Sequence, residues 1–212
     1  MKYKYIIWDW NGTLYNDVQI CIDAMNELLE MKGYDTVLSA ERYKKIFCFP
    51  VKKYYERIGF DFSVHPFEML AEEYISLYSK KEKEALLFPN TNTVLNIISK
   101  SCAVQTVISA CEKKRLAKQI NLFGIMKYFS CAIGTDDNLA VSKVELAKKW
   151  VKDNHINTDD VVFIGDTTHD YEVASAVGCD CILVCGGHQS TDILKKTGAQ
   201  LVDNIEGVIE LI

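Results

Sequence analysis

The chain has 212 residues and a mass of 24.1 kDa, which sets the expectation at one globular unit, or a core carrying one modest insertion, large enough to need no cross-links. With 49% hydrophobic and 25% charged residues, 11 glycines and 3 prolines, the composition excludes disordered and collagen-like chains. The net charge of -5, Lys+Arg 24 against Asp+Glu 29, speaks against a nucleic-acid partner and leaves room for a small anion held by local donors.

In chain order, short apolar runs rich in β-formers predict strands at Tyr3 to Trp8, Ala103 to Ile108, Ser130 to Ile133, Val161 to Ile164 and Cys181 to Val184. Between the first two the pattern is helical only: Val18 to Met31 ending at Gly33, then Ala40 to Phe47, Val51 to Ile58 and Pro66 to Lys83. The charged stretch Lys80 to Glu84 and Pro89 mark the return of that insertion. Later helices alternate with strands: Ser142-Lys143-Val144-Glu145 is a capping box opening a helix to Lys152, Gly178 stops a helix from Thr168 to Val177, and Asp203 with Glu206 signals another start.

Near-continuous apolar strands alternating with helices predict an α/β fold: a Rossmann-like, doubly wound parallel sheet, residues 1–16 and 88–212, with an all-helical cap inserted at 17–87. No apolar run is long enough to span a membrane, and the N-terminal stretch is too short for a signal peptide. The expected location is the cytoplasm, with no membrane partner, and oligomeric state has no readable signal. The eight scattered cysteines, Cys21, Cys48, Cys102, Cys111, Cys131, Cys179, Cys181 and Cys185, read as thiols rather than a disulfide framework. Cys179, Cys181 and Cys185 share a strand parity, and burial explains them better than metal binding.

In an open α/β sheet ligands bind beyond the carboxyl ends of the strands. There the sequence places Asp9-Trp10-Asn11-Gly12-Thr13-Leu14, Ser109 and Gly165-Asp166-Thr167-Thr168-His169-Asp170, with Lys143 in the first turn of the helix after the third predicted strand. This set resembles the haloacid dehalogenase superfamily, with DWNGTL, Ser109, Lys143 and GDTTHD as its four motifs in order. The position of the helical insertion is similar to the phosphoglycolate phosphatase and β-phosphoglucomutase branch.

A phosphate monoester brings about two negative charges to a site already holding Asp9, Asp166 and Asp170, so cations are required. A hard divalent ion, Mg²⁺, suits an oxygen-rich site lacking His and Cys, and Lys143 adds a point charge toward phosphate. With that charge offset Asp9 can attack phosphorus and form an aspartyl-phosphate that water hydrolyses. The resemblance implies Mg²⁺ on Asp9, the Asn11 carbonyl and Asp166, with Asp170 holding a water of the metal's shell or orienting Lys143. It also implies Thr13, Ser109 and the backbone N–H groups around Gly12 and Ala110 on the phosphoryl oxygens.

Each residue has a plainer reading: Asp9 and Asn11 as an Asx turn, Ser109 and Asp166 as helix N-caps, Lys143 as a solvated helix residue. Convergence on one end of the sheet favours the chemical one. His169 points along a helix surface on this reading, and His188, in Gly186-Gly187-His188-Gln189-Ser190, lies in a loop expected near the phosphate site. An EF-hand loop starting at Asp9 fails, because its sixth and twelfth positions are Leu14 and Ile20. A response-regulator receiver fails on length and on the position of Asp9 after the first strand.

One position departs from the family pattern. Family phosphatases carry an aspartate two residues after the nucleophile as general acid and base, and here that position is Asn11, an amide that cannot supply the proton. On an alkyl ester the loss is worth about 3 to 5 kcal/mol of barrier. The implied function is a phosphatase of a small phosphorylated molecule, slow on ordinary esters or directed to good leaving groups such as acyl or aryl phosphates or phosphoanhydrides. The alternatives are a phosphate-binding regulatory protein on a disabled fold and a mutase-like phosphotransferase. The insertion offers Arg42, Lys52, Lys53 and Arg57 as cations and Tyr54 and Tyr55 as aromatic donors, with Phe49-Pro50-Val51 as the loop meeting the core.

Overall fold

The computed structural model describes residues 1–35, 37–136 and 143–212. In chain order its regular elements are β1 (Tyr5–Trp8), β2 (Tyr15–Asn16), α1 (Val18–Met31), α2 (Ala40–Ile46), α3 (Val51–Ile58), α4 (Phe67–Lys81), β3 (Leu86–Leu87), α5 (Thr91–Ser99), β4 (Val104–Glu112), α6 (Lys113–Leu122), β5 (Cys131–Thr135), α7 (Lys143–Asp153), β6 (Val161–Gly165), α8 (Thr168–Val177), β7 (Asp180–Val184), α9 (Thr191–Leu194) and β8 (Gln200–Val202). Six strands form one parallel sheet in the order β5-β4-β1-β6-β7-β8. The fold is the expected α/β doubly wound parallel sheet with a helical insertion.

The two-residue period of a strand divides the core between the faces. Ile6 and Trp8 of β1 pack with α5 and α6 through Val94, Leu95, Leu116 and Ile120. Ile7, between them, faces the opposite way with Phe163 and meets α7 and α8 through Ala147, Trp150 and Val173. Burial on both faces is why these runs are apolar throughout rather than alternating.

β1 and β6 are neighbours whose onward connections run to opposite sides of the sheet, β1 toward β4 and β6 toward β7. The crevice for a ligand opens where adjacent connections diverge, so the residues just past these two strands, Asp9 and Asp166, flank it. The Asp9 N–H donates to the Ile164 carbonyl at 2.8 Å, extending the β1–β6 ladder to the edge of the crevice.

The chain leaves the core through a tight turn in which the Trp10 carbonyl accepts from the N–H groups of Thr13, Leu14 and Tyr15. It then enters β2, passes through α1 to α4, and returns in β3, which pairs antiparallel with β2, Tyr15 opposite Leu87 and Asn16 opposite Leu86. Entry to and exit from the helical segment are thereby joined.

Three expectations about element ends change. The edge strand β8 lacks an apolar run long enough to stand out. The last start signal is a 3₁₀ turn, Ile205–Glu210, capped by Asn204 rather than Asp203. β4 continues past Ile108 to Glu112, with a register irregularity against β5. Lys143 begins α7 as expected, while Ser142, the cap of that expected box, lies outside the described residues.

Candidate active site

Three loops build the site: the turn after β1, the end of β4, and the β6–α8 junction, with the start of α7 reaching in beside them. Asp9, buried, pairs through Oδ1 with Lys143 Nζ at 2.6 Å, and the same ammonium pairs with Asp170 Oδ1 at 2.5 Å. Asp170 spends its other oxygen on α8, accepting from the Asp166 and Thr167 N–H groups at 3.1 and 2.9 Å and from the Thr167 hydroxyl at 2.7 Å. It completes a capping box with Thr167 and fixes the lysine at once.

Asp166, fully buried, accepts from the Thr13 hydroxyl at 2.9 Å and from the His188 N–H at 2.6 Å. Both approaches depend on glycine. Gly12 adopts φ +77, and a Cβ there would collide with the Asp166 carboxylate and the His188 ring; a Cβ on Gly187 would strike the same carboxylate.

Oxygens of Asp9, Asp166 and Asp170 lie within 4.8 Å of one another. Burial, followed by the charges of Asp170 and Asp166, pushes the Asp9 carboxyl up to about 8 against the pull of Lys143. Burial and Asp170 push Asp166 up to about 6. Asp170 is lowered, since Lys143 and Thr167 outweigh its burial, and Lys143 is raised, since Asp170 and Asp9 outweigh its own. Three buried carboxylates with one ammonium are short of positive charge. Their hard oxygen donors suit a divalent cation such as Mg²⁺, so the residues present fit that ion.

A second cluster adjoins the first. Asn11 Nδ2 donates to Asp17 Oδ2 at 2.7 Å, and the Tyr78 hydroxyl donates to the same oxygen at 2.8 Å. Asp17 Oδ1 faces His188 Nε2 at 3.3 Å, an ion pair rather than a well-aligned hydrogen bond. His188 Nδ1 meets the Tyr43 hydroxyl at 2.7 Å. Burial would lower the His188 imidazole, but Asp17, Asp166 and Asp9 push it up to about 8. Burial would raise Asp17, but His188, Asn11 and Tyr78 hold it below the ordinary carboxylate range.

A cavity of about 200 Å³ lies against these groups, lined at one end by Asp9, Asn11, Ser109, Ala110 and Lys143. Five expected site residues thus share one cavity, and Gly12, Thr13, Asp166 and Asp170 pack around them. Some local details differ from the sequence reading. The Thr13 hydroxyl donates to Asp166. Neither Ser109 nor Asp166 is a helix cap: Glu112 caps α6 and Thr167 caps α8. The Thr13 N–H that an Asx turn at Asn11 would use goes to the Trp10 carbonyl instead, at 3.3 Å. His169 pairs with Glu172 at 3.1 Å and stacks on Phe49.

The cations offered by the insertion do not line the cavity. Arg42 and Arg57 donate to the Ile58 and Ile46 carbonyls, and Lys52 lies over Phe62 and Phe67. Sequence reasoning passed over Asp17, Tyr43, Tyr78 and Arg115, which do line it. Asp17 reads as the start of α1, yet makes no side-chain cap; its closeness to Asn11 was the available signal.

A family model described as haloacid dehalogenase-like hydrolase matches residues 6–184. The chain belongs to this family. Proteins of known structure share its fold over almost their whole length at low identity. A predicted phosphatase from Clostridium acetobutylicum is 19% identical, with a TM-score of 0.84 over 99% of this chain and 98% of that one. A predicted phosphoglycolate phosphatase from Haemophilus somnus is 15% identical, with a TM-score of 0.80 over 100% and 98%. Protein Tyrosine Kinase A from Mycobacterium tuberculosis is 21% identical, with a TM-score of 0.82 over 99% and 98%. The names differ while the fold does not, so function has to be argued from the site. No curated protein matches the chain.

Proposed function

We propose that this member of the haloacid dehalogenase-like family is a phosphatase of a small phosphorylated molecule, with Asp9 as nucleophile. The observation that carries the reading is the Asp9 carboxylate at the end of a central strand, on the floor of a cavity and paired at 2.6 Å with the buried Lys143. A phosphatase site that had lost its purpose would have no reason to keep three mutually repelling buried carboxylates around one lysine.

In the first half-reaction an Asp9 oxygen bonds to phosphorus while the bond from phosphorus to the leaving oxygen breaks, and that oxygen departs with the electron pair. In the second, water attacks phosphorus and releases inorganic phosphate, restoring the carboxylate. Lys143, held by Asp170, places one positive charge where the phosphoryl oxygens gather, and backbone N–H groups around Ala110 add dipoles there. Asp9, Asp166 and the Asn11 carbonyl would hold Mg²⁺, with Asp170 beside them on Lys143; when bound, the ion offsets the repulsion between an anionic substrate and Asp9.

Asn11 has no proton to give the leaving oxygen, and its amide is already donated to Asp17. Substrates whose leaving oxygen needs no protonation are therefore favoured. Residues 17–87 act as the cap and residues 1–16 and 88–212 as the core, the joined β2 and β3 serving as the passage between them. All eight cysteines are free thiols, which suits a cytoplasmic protein.

The test is phosphate release from esters and acyl phosphates graded by leaving-group pKa, with and without Mg²⁺, and with Asp9→Asn as control. A steep rise in kcat/KM with leaving-group acidity, absent in Asp9→Asn, supports the reading. Ligand binding with no turnover on any substrate would place the chain among binding proteins instead.

A further inference from the structure

Resting on the phosphatase reading, we propose that the leaving group is a single aromatic ring, so that the substrate class is a small aryl phosphate. The helical insertion lines the cavity with a wall of Tyr43, Phe47, Tyr54, Tyr55, Tyr74 and Tyr78. Every residue that α2, α3 and α4 contribute to the lining is uncharged. Their rings already meet one another edge-on, Tyr43 with Tyr54 at 5.7 Å and Tyr54 with Tyr55 at 5.8 Å between centroids, the geometry in which a further ring packs well.

Charge excludes the other candidates. Arg115 lines the cavity, but its guanidinium is committed to Glu82 at 2.6 Å and to the Ser79 hydroxyl at 2.9 Å. Lys143 and His188, which also line it, are paired with Asp9 and Asp17, so a carboxylate or second phosphate on the leaving group would be buried without a cation of its own. Two of the tyrosine hydroxyls lining the cavity, those of Tyr43 and Tyr78, are spent on His188 and Asp17. The Tyr54 hydroxyl is different: it is buried with no hydrogen-bond partner, an open position for one polar atom of a ligand.

Size agrees. An apolar cavity of about 150 Å³ holds benzene, and this one has about 200 Å³ with Asp9 at one end. Chemistry agrees independently, because a phenolate leaves without the acid that Asn11 cannot be. As the Asp9 oxygen bonds to phosphorus the aryl oxygen–phosphorus bond breaks, the phenolate keeps the electron pair and later takes a proton from solvent, and water releases phosphate.

The experiment compares phenyl phosphate with a fluorinated alkyl phosphate of matched leaving-group acidity, so that only ring recognition differs. Acetyl phosphate and a phosphotyrosyl peptide complete the panel. The expected kcat/KM for phenyl phosphate exceeds that of the matched alkyl ester by about 10- to 100-fold, the difference lying mainly in KM. Phenylphosphonate should bind more tightly than methylphosphonate by a similar factor in calorimetry. Ala71→Phe, which fills the cavity, should lower the ratio of phenyl phosphate to acetyl phosphate turnover about tenfold in protein shown folded by its melting curve. Equal kcat/KM on the matched esters, or equal affinity for the two phosphonates, overturns the proposal, and a peptide cleaved as well as phenyl phosphate overturns its restriction to small molecules. Turnover of acetyl phosphate without ring preference defeats this proposal alone; no turnover on any substrate defeats the phosphatase reading as well.

Discussion

The floor and the wall of the cavity are stabilised in opposite ways. The wall is aromatic and apolar, so the contacts that would receive a ligand also hold the helices together. The floor gathers Asp9, Asp166 and Asp170 around one lysine, and two of the three carboxyls are pushed up toward neutrality. The wall gains stability from being a binding surface, whereas the floor loses stability by being a reactive one.

Asp9→Asn breaks this contrast most sharply. Turnover should fall by about 10⁴-fold or more, as expected when a nucleophile is removed. Without metal, however, the variant should melt higher than the parent, because the amide is neutral without the proton that the Asp9 carboxyl, pushed up to about 8, takes up on folding at neutral pH. Each kcal/mol is worth about 2 to 4 °C for a protein of this size, so a thermal scan in chelator alongside the phosphate-release assay checks both. A lower melting temperature would mean that the floor is not strained by charge.

Lys143→Met acts in the reverse sense. It leaves the carboxylates with no ammonium, which should cost about 3 to 5 kcal/mol of stability and lower turnover about 10²- to 10³-fold. Added Mg²⁺ should recover much of the stability and little of the rate, a split seen by comparing melting with kinetics.

Asn11→Asp is the test of the missing acid, and Asp17 complicates it. The new carboxyl would face the Asp17 oxygen that now accepts the Asn11 amide at 2.7 Å, so the single variant trades a hydrogen bond for repulsion. Asn11→Asp with Asp17→Asn restores a donor to the pair. On alkyl phosphates the double variant should gain about 10²-fold and the single variant less. Steady-state rates on one alkyl ester decide the order, and a double variant no faster than the parent would show that position 11 does not limit the reaction.

The charged floor was legible in the sequence because each of its residues sits at a strand end or helix start marked by local signals: the apolar run before Asp9, the Gly165-Asp166 step, the helical pattern around Lys143. The wall was not. Tyr43 and Tyr78 come from helices 35 residues apart, and nothing local says that both reach His188 and Asp17; the helical pattern gives a buried face but not what it is buried against. The insertion's cations, available by sequence but more often surface or core than ligand, could not be placed for the same reason. Arg42 and Arg57 end on backbone carbonyls of neighbouring segments, and the arginine that does reach the cavity lies on α6, outside the insertion.

Proton linkage gives the next effect. Asp9 and His188 in the folded chain titrate near 8 and Asp166 near 6, against ordinary values of 3.8, 6.5 and 3.8. The folded state therefore holds more protons than the unfolded one across this range, and the associated stability is present at mildly acid pH and is lost as pH rises toward 8. Asp170 and Asp17, both lowered, act oppositely, and their contribution disappears only as pH falls below the ordinary carboxylate range. Melting temperature in chelator should fall between pH 5.5 and about 8.5. Mg²⁺ should flatten the slope by replacing protons on Asp9 and Asp166, and Asp17→Asn should remove the part due to His188.

The smallest expected effect lies at the join between floor and wall. Glu82, just past α4, accepts from Arg115 at 2.6 Å and Lys118 at 2.9 Å, while its carbonyl accepts the Tyr15 hydroxyl at 2.5 Å. The return of the helical segment is thus fastened to α6 and to β2 together. Glu82→Gln keeps the shape and removes the charge, so stability should drop by about 1 to 3 kcal/mol, read as a shift in the denaturation midpoint. It also releases the Arg115 guanidinium beside the cavity. If the neutral wall is neutral only because Glu82 occupies that arginine, the variant should improve kcat/KM severalfold for a phosphate ester carrying a carboxylate and leave phenyl phosphate behind by the same measure. No change in that ratio would mean that the wall's preference is set by its aromatic rings alone.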